Sequence, residues 1–561
     1  MLEALRHRTA VRRLAGAVLV ALGAMAPAGA QPYAFYQSVL NAASFAPQAA
    51  AHGAIARGAI FTIFGRGLGP AEGVSVSAFP LAETLAGVSI EVCQGGTCIP
   101  AYPLFVRADQ VNAVMPSTAP LGRVSMRVTF AGAAGNFTPA EVVRSSFGIF
   151  AVNSGGFGPG IVQNFVASGD TPLNSLATTA RPGQAMILWG TGLGAAPHAD
   201  NVPAPAGELP TPVEIWVGGQ AVTVKRYSGR APGFAGLDQI VFDLPADTPT
   251  GCYVPVTMRT GGVVSNTVTI AVTADGAGEC ADPANPLDGL RRGGRSGLVV
   301  LTRTLWRSPL PVGFAVTVDG AGARFQEAPS GPWRFDRLSS LPPPGACTTY
   351  TFHAGAPDFG FAADAIRSGP ALSAGAELAF AGSGGAPRTA DSGIRPGFYT
   401  AYLGTDVVFD PPLPLFFGAS PAARVSAAGG SEVGAFSVDV PAPAPFEWSN
   451  RQGARRIRAG EPLTVEWTGG DAAGTVLIGG FSRAAAEAAT AGFVCAAAAA
   501  GGSFVVPPEA TSALVKATAG ATTGSVVVAA LPSVAAPFSA PGLDLGLALF
   551  AAAEREAALV E

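Results

Sequence analysis

Gly65, Gly67 and Gly69 in IFGRGLGP follow an apolar run, which is the arrangement of a phosphate-binding turn. Such a turn works because a helix begins at once and offers its free amides to the anion. Here PAEGVSVSAFP follows Gly69, and AAPHADNVPAPAGELP follows a matching cluster, Gly190, Gly192 and Gly194. Neither stretch has helical periodicity, both contain proline, and no lysine follows either cluster. The glycines are therefore expected to serve a tight bend or bulge where a strand leaves its sheet.

Nucleophilic, metal and carboxylate chemistry have little to work with. No G-x-S-x-G, H-E-x-x-H, Walker or EF-hand loop occurs. Beyond residue 30 histidine is confined to His52, His198 and His353, none in a nucleophile context. Cys93-x4-Cys98 has no second close pair, so zinc is not expected. Asp336, Asp358, Asp364, Asp406 and Asp410 could supply a carboxylate pair for glycoside hydrolysis. Asp358 and Asp410 sit beside Pro, and turns are the ordinary place for Asp. Asp282, Asn285 and Asp288 could hold calcium in a linker, against the plainer reading of a solvated hinge. No catalytic residue and no cofactor is expected. Trp333 (SGPWRFD) and Trp448 (PFEWSN) lie beside turns and could stack an exposed ring face on a sugar; the competing reading is a turn anchor. Trp189 and Trp467 lie in apolar strands and are expected in the core.

The elements that would carry these residues are strands. A chain of 561 residues exceeds one core and suggests three or four domains. With 73 Gly, 48 Pro and 13% charged residues, it favours short strands and turns over long helices. A repeat is visible: IFTIFGRGLGP (60–70) returns as MILWGTGLGAA (186–196), and DQVNAVMPSTAPLG (109–122) as DQIVFDLPADTPTG (238–251). The offset of 125 to 129 residues is the size of one β-sandwich. Val124, Met126 and Val128, and in the second copy Cys252, Val254, Val256 and Met258, alternate with polar residues. That alternation implies one buried and one wet face.

The G-x-G-L-G turn after an apolar strand resembles the start of an IPT/TIG-type immunoglobulin-like domain. With VLNAASF, PLFVRADQVNAVMP, SSFGIFAV, APGFAGLDQIVFDLP and VVSNTVTIAV, residues 38–273 resemble the tandem module of a family of secreted acidobacterial proteins. The resemblance implies an exported pair of β-sandwiches and brings no catalytic residues to transfer. Here the module directly follows the leader, and Cys93/Cys98 is a local addition to the family's pattern.

Residues 1–30 read as a signal peptide: basic Arg6, Arg8, Arg12 and Arg13, the apolar LAGAVLVALGAMA, then Ala28-Gly29-Ala30. The apolar run is too short for a membrane span. Removing residues 1–30 shifts the formal charge from −4 to −7, a poor balance for nucleic acid. RRGGRSG (291–297) is expected to be a flexible connection rather than an RNA segment. Export permits disulfides. The six cysteines allow 15 pairings; proximity suggests Cys93 with Cys98 and Cys252 with Cys280, leaving Cys347 with Cys495.

The expected layout is all-β: immunoglobulin-like sandwiches at 31–147 and 148–275, a linker at 276–297, a β-rich domain at 298–440 and a fourth sandwich at 441–561. RAAAEAATAGFVCAAAAAGG could hold one short helix. The expected function is non-enzymatic binding or adhesion at the cell envelope or outside the cell. The partner would be an extracellular protein or a glycan, with no nucleic acid and no transmembrane segment. An extracellular carbohydrate-binding or polysaccharide-acting protein and a structural envelope or matrix protein are the alternatives.

Overall fold

The computed structural model describes residues 31–561 except 293, 308–314, 354–368, 383–386, 394–396, 408–412, 419–420, 485–488 and 517–523. The expected leader lies outside the described residues, as do Asp358, Asp364 and Asp410.

The chain is all-β, a series of packed β-sandwiches. Alternation builds the first. In Gly122–Phe130, Val124, Met126 and Val128 are buried while Arg123 and Ser125 face out. This strand pairs antiparallel with Val88–Gln94 and with Ala133–Val143. The strand Thr97–Val106 links the two layers by pairing with both Val88–Gln94 and Gln110–Val114. The enclosed core draws on residues from Ala34 to Val142. The second sandwich has two separate sheets. One is built on Ala185–Thr191 and Asp238–Asp243, the other on Val213–Val217, Gly251–Thr260 and Val268–Val272. Its core runs from Phe147 to Val272.

The second copy departs from the one-wet-face expectation. In Gly251–Thr260 nearly every residue is buried on both faces, Tyr253 and Thr257 included. The C-terminal half covers the outer face: the Tyr253 hydroxyl donates to Arg334 O at 3.1 Å. A hydroxyl chain joins Thr257, Thr267 and Thr349 at 2.9 and 2.7 Å.

The C-terminal half differs more. Its two sandwiches share a ten-stranded sheet. Leu545–Val560 lies in the middle of that sheet, parallel to Arg295–Arg307 and antiparallel to Gly524–Leu531. A four-stranded sheet (Glu377–Ala381, Arg388–Asp391, Ala422–Ala427, Phe436–Pro441) and a three-stranded one (Phe446–Trp448, Leu463–Gly469, Ser503–Val506) cover it. The expected boundary at 440/441 divides the covering sheets but not the main one. The reason is the C-terminal strand: Ala548 and Phe550 enter one core, Ala558 and Val560 the other.

Two further expectations are corrected. Among its described residues the helical part of the alanine-rich segment is only the 3-10 turn Ala499–Gly501, and the segment is mainly the strand Ala489–Ala498. It lies between Thr475–Ala484 and Cys347–His353, where small side chains let neighbouring strands pack closely. The stretch 276–297 is no solvated linker either. Its 3-10 turn Asp288–Arg292 is buried at Asp288, Leu290 and Arg291, and Leu287 and Leu290 pack on Leu298, Leu547 and Leu549 of the shared sheet.

Candidate binding surface

The strand Tyr33–Asn41 opens the first sandwich and pairs with Ile60–Arg66. Strict alternation would hide either Phe35 or Tyr36. The pairing slips between Ala34 and Val39, and Gln37 takes a left-handed φ of 55°. This bulge turns consecutive residues outward together. Residues 31–35 are stitched to 134–138: Asn136 accepts from Ala34 N and donates to Ala34 O (2.9 and 3.0 Å). Thr138 Oγ1 donates to Phe35 O at 3.0 Å. Phe137 projects from this seam on the second strand.

Four rings therefore stand exposed along one seam: Tyr33 at 41%, Phe35 at 45%, Phe137 at 51% and Tyr36 at 74%. Arg66 stacks on the Tyr33 ring and Arg127 on the Phe137 ring, each at 4.7 Å. Arg127 is itself held by Glu91 at 2.7 Å. Tyr33 and Phe35 meet edge to face at 6.2 Å. Cations thus back two of the rings, Tyr33 and Phe137, while Phe35 is held by Tyr33 and by the Thr138 bond to its carbonyl. No signal in the sequence singled out these four, because their exposure depends on the bulge and on a seam between segments about 100 positions apart.

The sequence-selected aromatics lie elsewhere. Trp448 is buried, contrary to the exposed reading: it is 1% exposed, in the fourth core, with its indole Nε1 donating to Asn450 Oδ1 at 2.9 Å. It is an anchor because Phe446–Trp448 pairs with Leu463–Gly469 and turns the ring inward. Trp333 is partly exposed but tied: its Nε1 donates to Asn174 O at 2.8 Å. Beside it Leu176 N donates to Pro332 O at 2.9 Å. Phe335 packs on Phe157 and Tyr253 at 6.1 and 5.6 Å. Trp333 thus sits in the joint between the second sandwich and the C-terminal half. Trp467 is buried, and half-buried Trp189 donates to Gln163 Oε1 at 2.8 Å.

The two glycine clusters are followed by bends and short strands rather than helices. Gly67 has φ 64°, and a Cβ on Gly65 would lie 2.2 Å from Tyr33 O. In the second cluster Asp238 accepts from Gly192 N and Leu193 N at 2.7 and 2.8 Å. Its other oxygen pairs with Arg230, and both side chains are buried. Thr191 Oγ1 accepts from Ile60 N of the first sandwich at 2.8 Å. This cluster closes the joint between the two sandwiches.

The other candidates are structural. The cysteines pair as Cys93–Cys98, Cys252–Cys280 and Cys347–Cys495. Asp336 pairs with Arg324 at 2.8 Å, and Asp406 is exposed and accepts from Thr317 N at 2.9 Å. His198 lies in its loop with Nδ1 3.0 Å from Ala199 O, and His353 ends the strand Cys347–His353. His52 is buried beside the first joint, and burial lowers its pKa to about 4. Asp282 is buried beside the second joint, where burial and then the Asp288 charge raise its pKa to about 6. Asp288 is committed to Arg291 at 2.8 Å, and Asn285 Nδ2 to Ser339 O at 2.6 Å. Among the described residues no group of three or more His, Cys, Asp or Glu is placed to hold a metal ion, and no helix is long and apolar enough to cross a membrane. A cleft of about 630 Å³ in the fourth sandwich holds Arg456, Arg458 and Glu461. Its charges are already paired, Arg458 with Glu461 and Arg456 with Glu561.

No family model and no curated protein matches the chain. Among solved structures it is similar to SGBP-B from a complex xyloglucan utilization locus in Bacteroides uniformis (12% identity, 66% of this chain and 85% of that one, TM-score 0.16). It is also similar to domains 5–6 of the S-layer protein SbsC (12%, 43% and 98%, TM-score 0.15). A third is the SGBP-B of a Bacteroides ovatus mixed-linkage glucan utilization locus (12%, 78% and 78%, TM-score 0.12). Likenesses this distant carry no argument about function, and the fold rests on the strand pairing itself.

Proposed function

We propose that this is an exported, non-enzymatic binding or adhesion protein whose ligand surface is the aromatic seam of the first sandwich. The observation that carries the reading is four exposed rings, Tyr33, Phe35, Tyr36 and Phe137, gathered at one bulged seam, with Arg66 behind Tyr33 and Arg127 behind Phe137. Aromatic and arginine side chains are the ones that concentrate binding energy at interfaces. Exposed apolar clusters of this kind mark binding sites on soluble proteins. Behind the seam, bonded joints and a shared sheet supply a stiff support. The repeat motifs support membership of the IPT/TIG-like acidobacterial module, and the leader supports export.

A second reading is glycan binding. Every large apolar side chain exposed between 31 and 37 or between 134 and 138 is aromatic, the kind that stacks on sugars; Arg66 and Arg127 already take one face of Tyr33 and of Phe137. The test for both is depletion of protein beginning at Gln31 by insoluble polysaccharides and by immobilised envelope proteins, with released reducing sugar assayed in the same tubes. Retention that Tyr36→Ala abolishes supports the seam. Sugar release would overturn the non-enzymatic reading, and retention indifferent to Tyr36→Ala would move the site elsewhere.

A further inference from the structure

Three segments of the C-terminal half meet the second sandwich around a cavity of about 20 Å³. Arg291 comes from the 276–297 stretch, Ser296, Arg324 and Gln326 from the paired strands Arg295–Arg307 and Ala315–Glu327, and Arg334, Asp336, Ser339 and Ser340 from the loop after them; Tyr253 is the second sandwich's contribution. Ion pairs ring the space. Arg291 grips Asp288 at 2.8 Å, Arg324 pairs with Asp336 at 2.8 Å, and Arg334 pairs with Glu279 at 2.6 Å.

Three polar atoms of the lining are left over. Arg291 Nη1, Arg334 Nε and Gln326 Oε1 are buried with no hydrogen-bond partner among the described residues. Arg291 and Gln326 are only 6% and 3% exposed. Arg291 Nη1 lies 3.6 Å from Glu279 Oε1, close enough for charge attraction but not for a hydrogen bond. Buried donors and acceptors left unmade cost about 1–3 kcal/mol each, so native proteins rarely leave three in one place.

The geometry points to one bound water molecule in this cavity, accepting from Arg291 Nη1 and Arg334 Nε and donating to Gln326 Oε1. The volume exceeds the roughly 10–15 Å³ that a single water needs, and three partners is the usual number. Polyatomic anions are too large. A chloride ion fits by size but only accepts, so it would leave Gln326 Oε1 unmet and facing a negative charge, unless the amide is turned over. The water ties the three C-terminal segments into one polar network, which reaches the second sandwich through the Tyr253 bond to Arg334 O.

The test is a crystal structure of the protein from Gln31 at a resolution that shows ordered water, with a second crystal soaked in bromide. The expected result is a single peak within about 3.2 Å of Arg291 Nη1 and Gln326 Oε1 and no anomalous bromide signal there. An empty cavity, or a bromide peak in it, would overturn the assignment. In Gln326→Leu the peak should vanish while the Tyr253–Arg334 bond persists. A peak that survives this substitution would contradict the role given to Gln326.

Discussion

Two aromatic regions of this protein have the same ingredients and opposite fates. Along the seam of the first sandwich, Tyr33, Phe35, Tyr36 and Phe137 stand in solvent beside two arginines. At the joint between the second sandwich and the C-terminal half, Phe157, Tyr253, Phe335, Tyr350 and Phe352 turn onto one another, with Trp333 bonded alongside. What separates them is whether another body lies opposite. The joint's rings fill a contact the chain makes with itself, while nothing in the described chain covers the seam. An aromatic ring therefore signals binding here only where the fold leaves it uncovered.

That contrast can be broken at the joint first. Phe157→Ala removes a buried ring that touches three others, and should cost about 3–5 kcal/mol. Calorimetry should show a lower Tm, with retention on the ligand surface unchanged below it. An undiminished Tm would mean the joint is not packed as described.

The two joints should also respond to pH with opposite sign. His52, beside the first joint, is held neutral with a pKa of about 4 against an ordinary 6.5. Its contribution is intact above pH 6.5 and is lost as pH falls toward 4, about 3 kcal/mol in all. Asp282, beside the second joint, has a pKa near 6 against 3.8. Its folded form prefers the proton, so stability is fullest below pH 3.8 and falls as pH rises through 6. His52→Gln should flatten the first dependence and Asp282→Asn the second, read from urea midpoints across pH 4 to 7. A slope unchanged by its substitution would remove that residue from the account.

Trp333→Phe keeps the packing and removes only the Nε1 bond to Asn174 O, a loss of about 1 kcal/mol. Retention on the ligand surface should not change, and a fall would return Trp333 to the list of ligand-contacting rings. Tyr36→Ala should alter stability least, by less than about 0.5 kcal/mol, because the ring is 74% exposed.

The repeat, the strand alternation of its first copy and the glycine bends were legible because they are local patterns. Gly192 needs φ 114°, and any Cβ there would lie 2.1 Å from Ser146 O. A glycine cluster announces such a bend without revealing what it packs against. The shared sheet was not legible, since Arg295–Arg307 and Leu545–Val560 are nearly 250 positions apart and each reads as an ordinary strand. The 276–297 stretch, buried around Leu287 to Arg291, looked like a linker because Gly, Pro and charge dominate it. Its arginine at 291 is buried only because Asp288 and Glu279 meet it. The aromatic seam was hidden for the same reason: a three-residue slip in pairing around Gln37 decides whether Tyr36 faces water.

The most direct test of the central claim compares the wild type, Tyr33→Ala/Tyr36→Ala and Trp333→Ala on whichever polysaccharide or envelope protein retains the wild type. The account predicts that the double variant keeps its Tm and loses retention, while Trp333→Ala lowers Tm and keeps retention. Retention lost by Trp333→Ala at a temperature where it is folded, with the double variant unaffected, would contradict it.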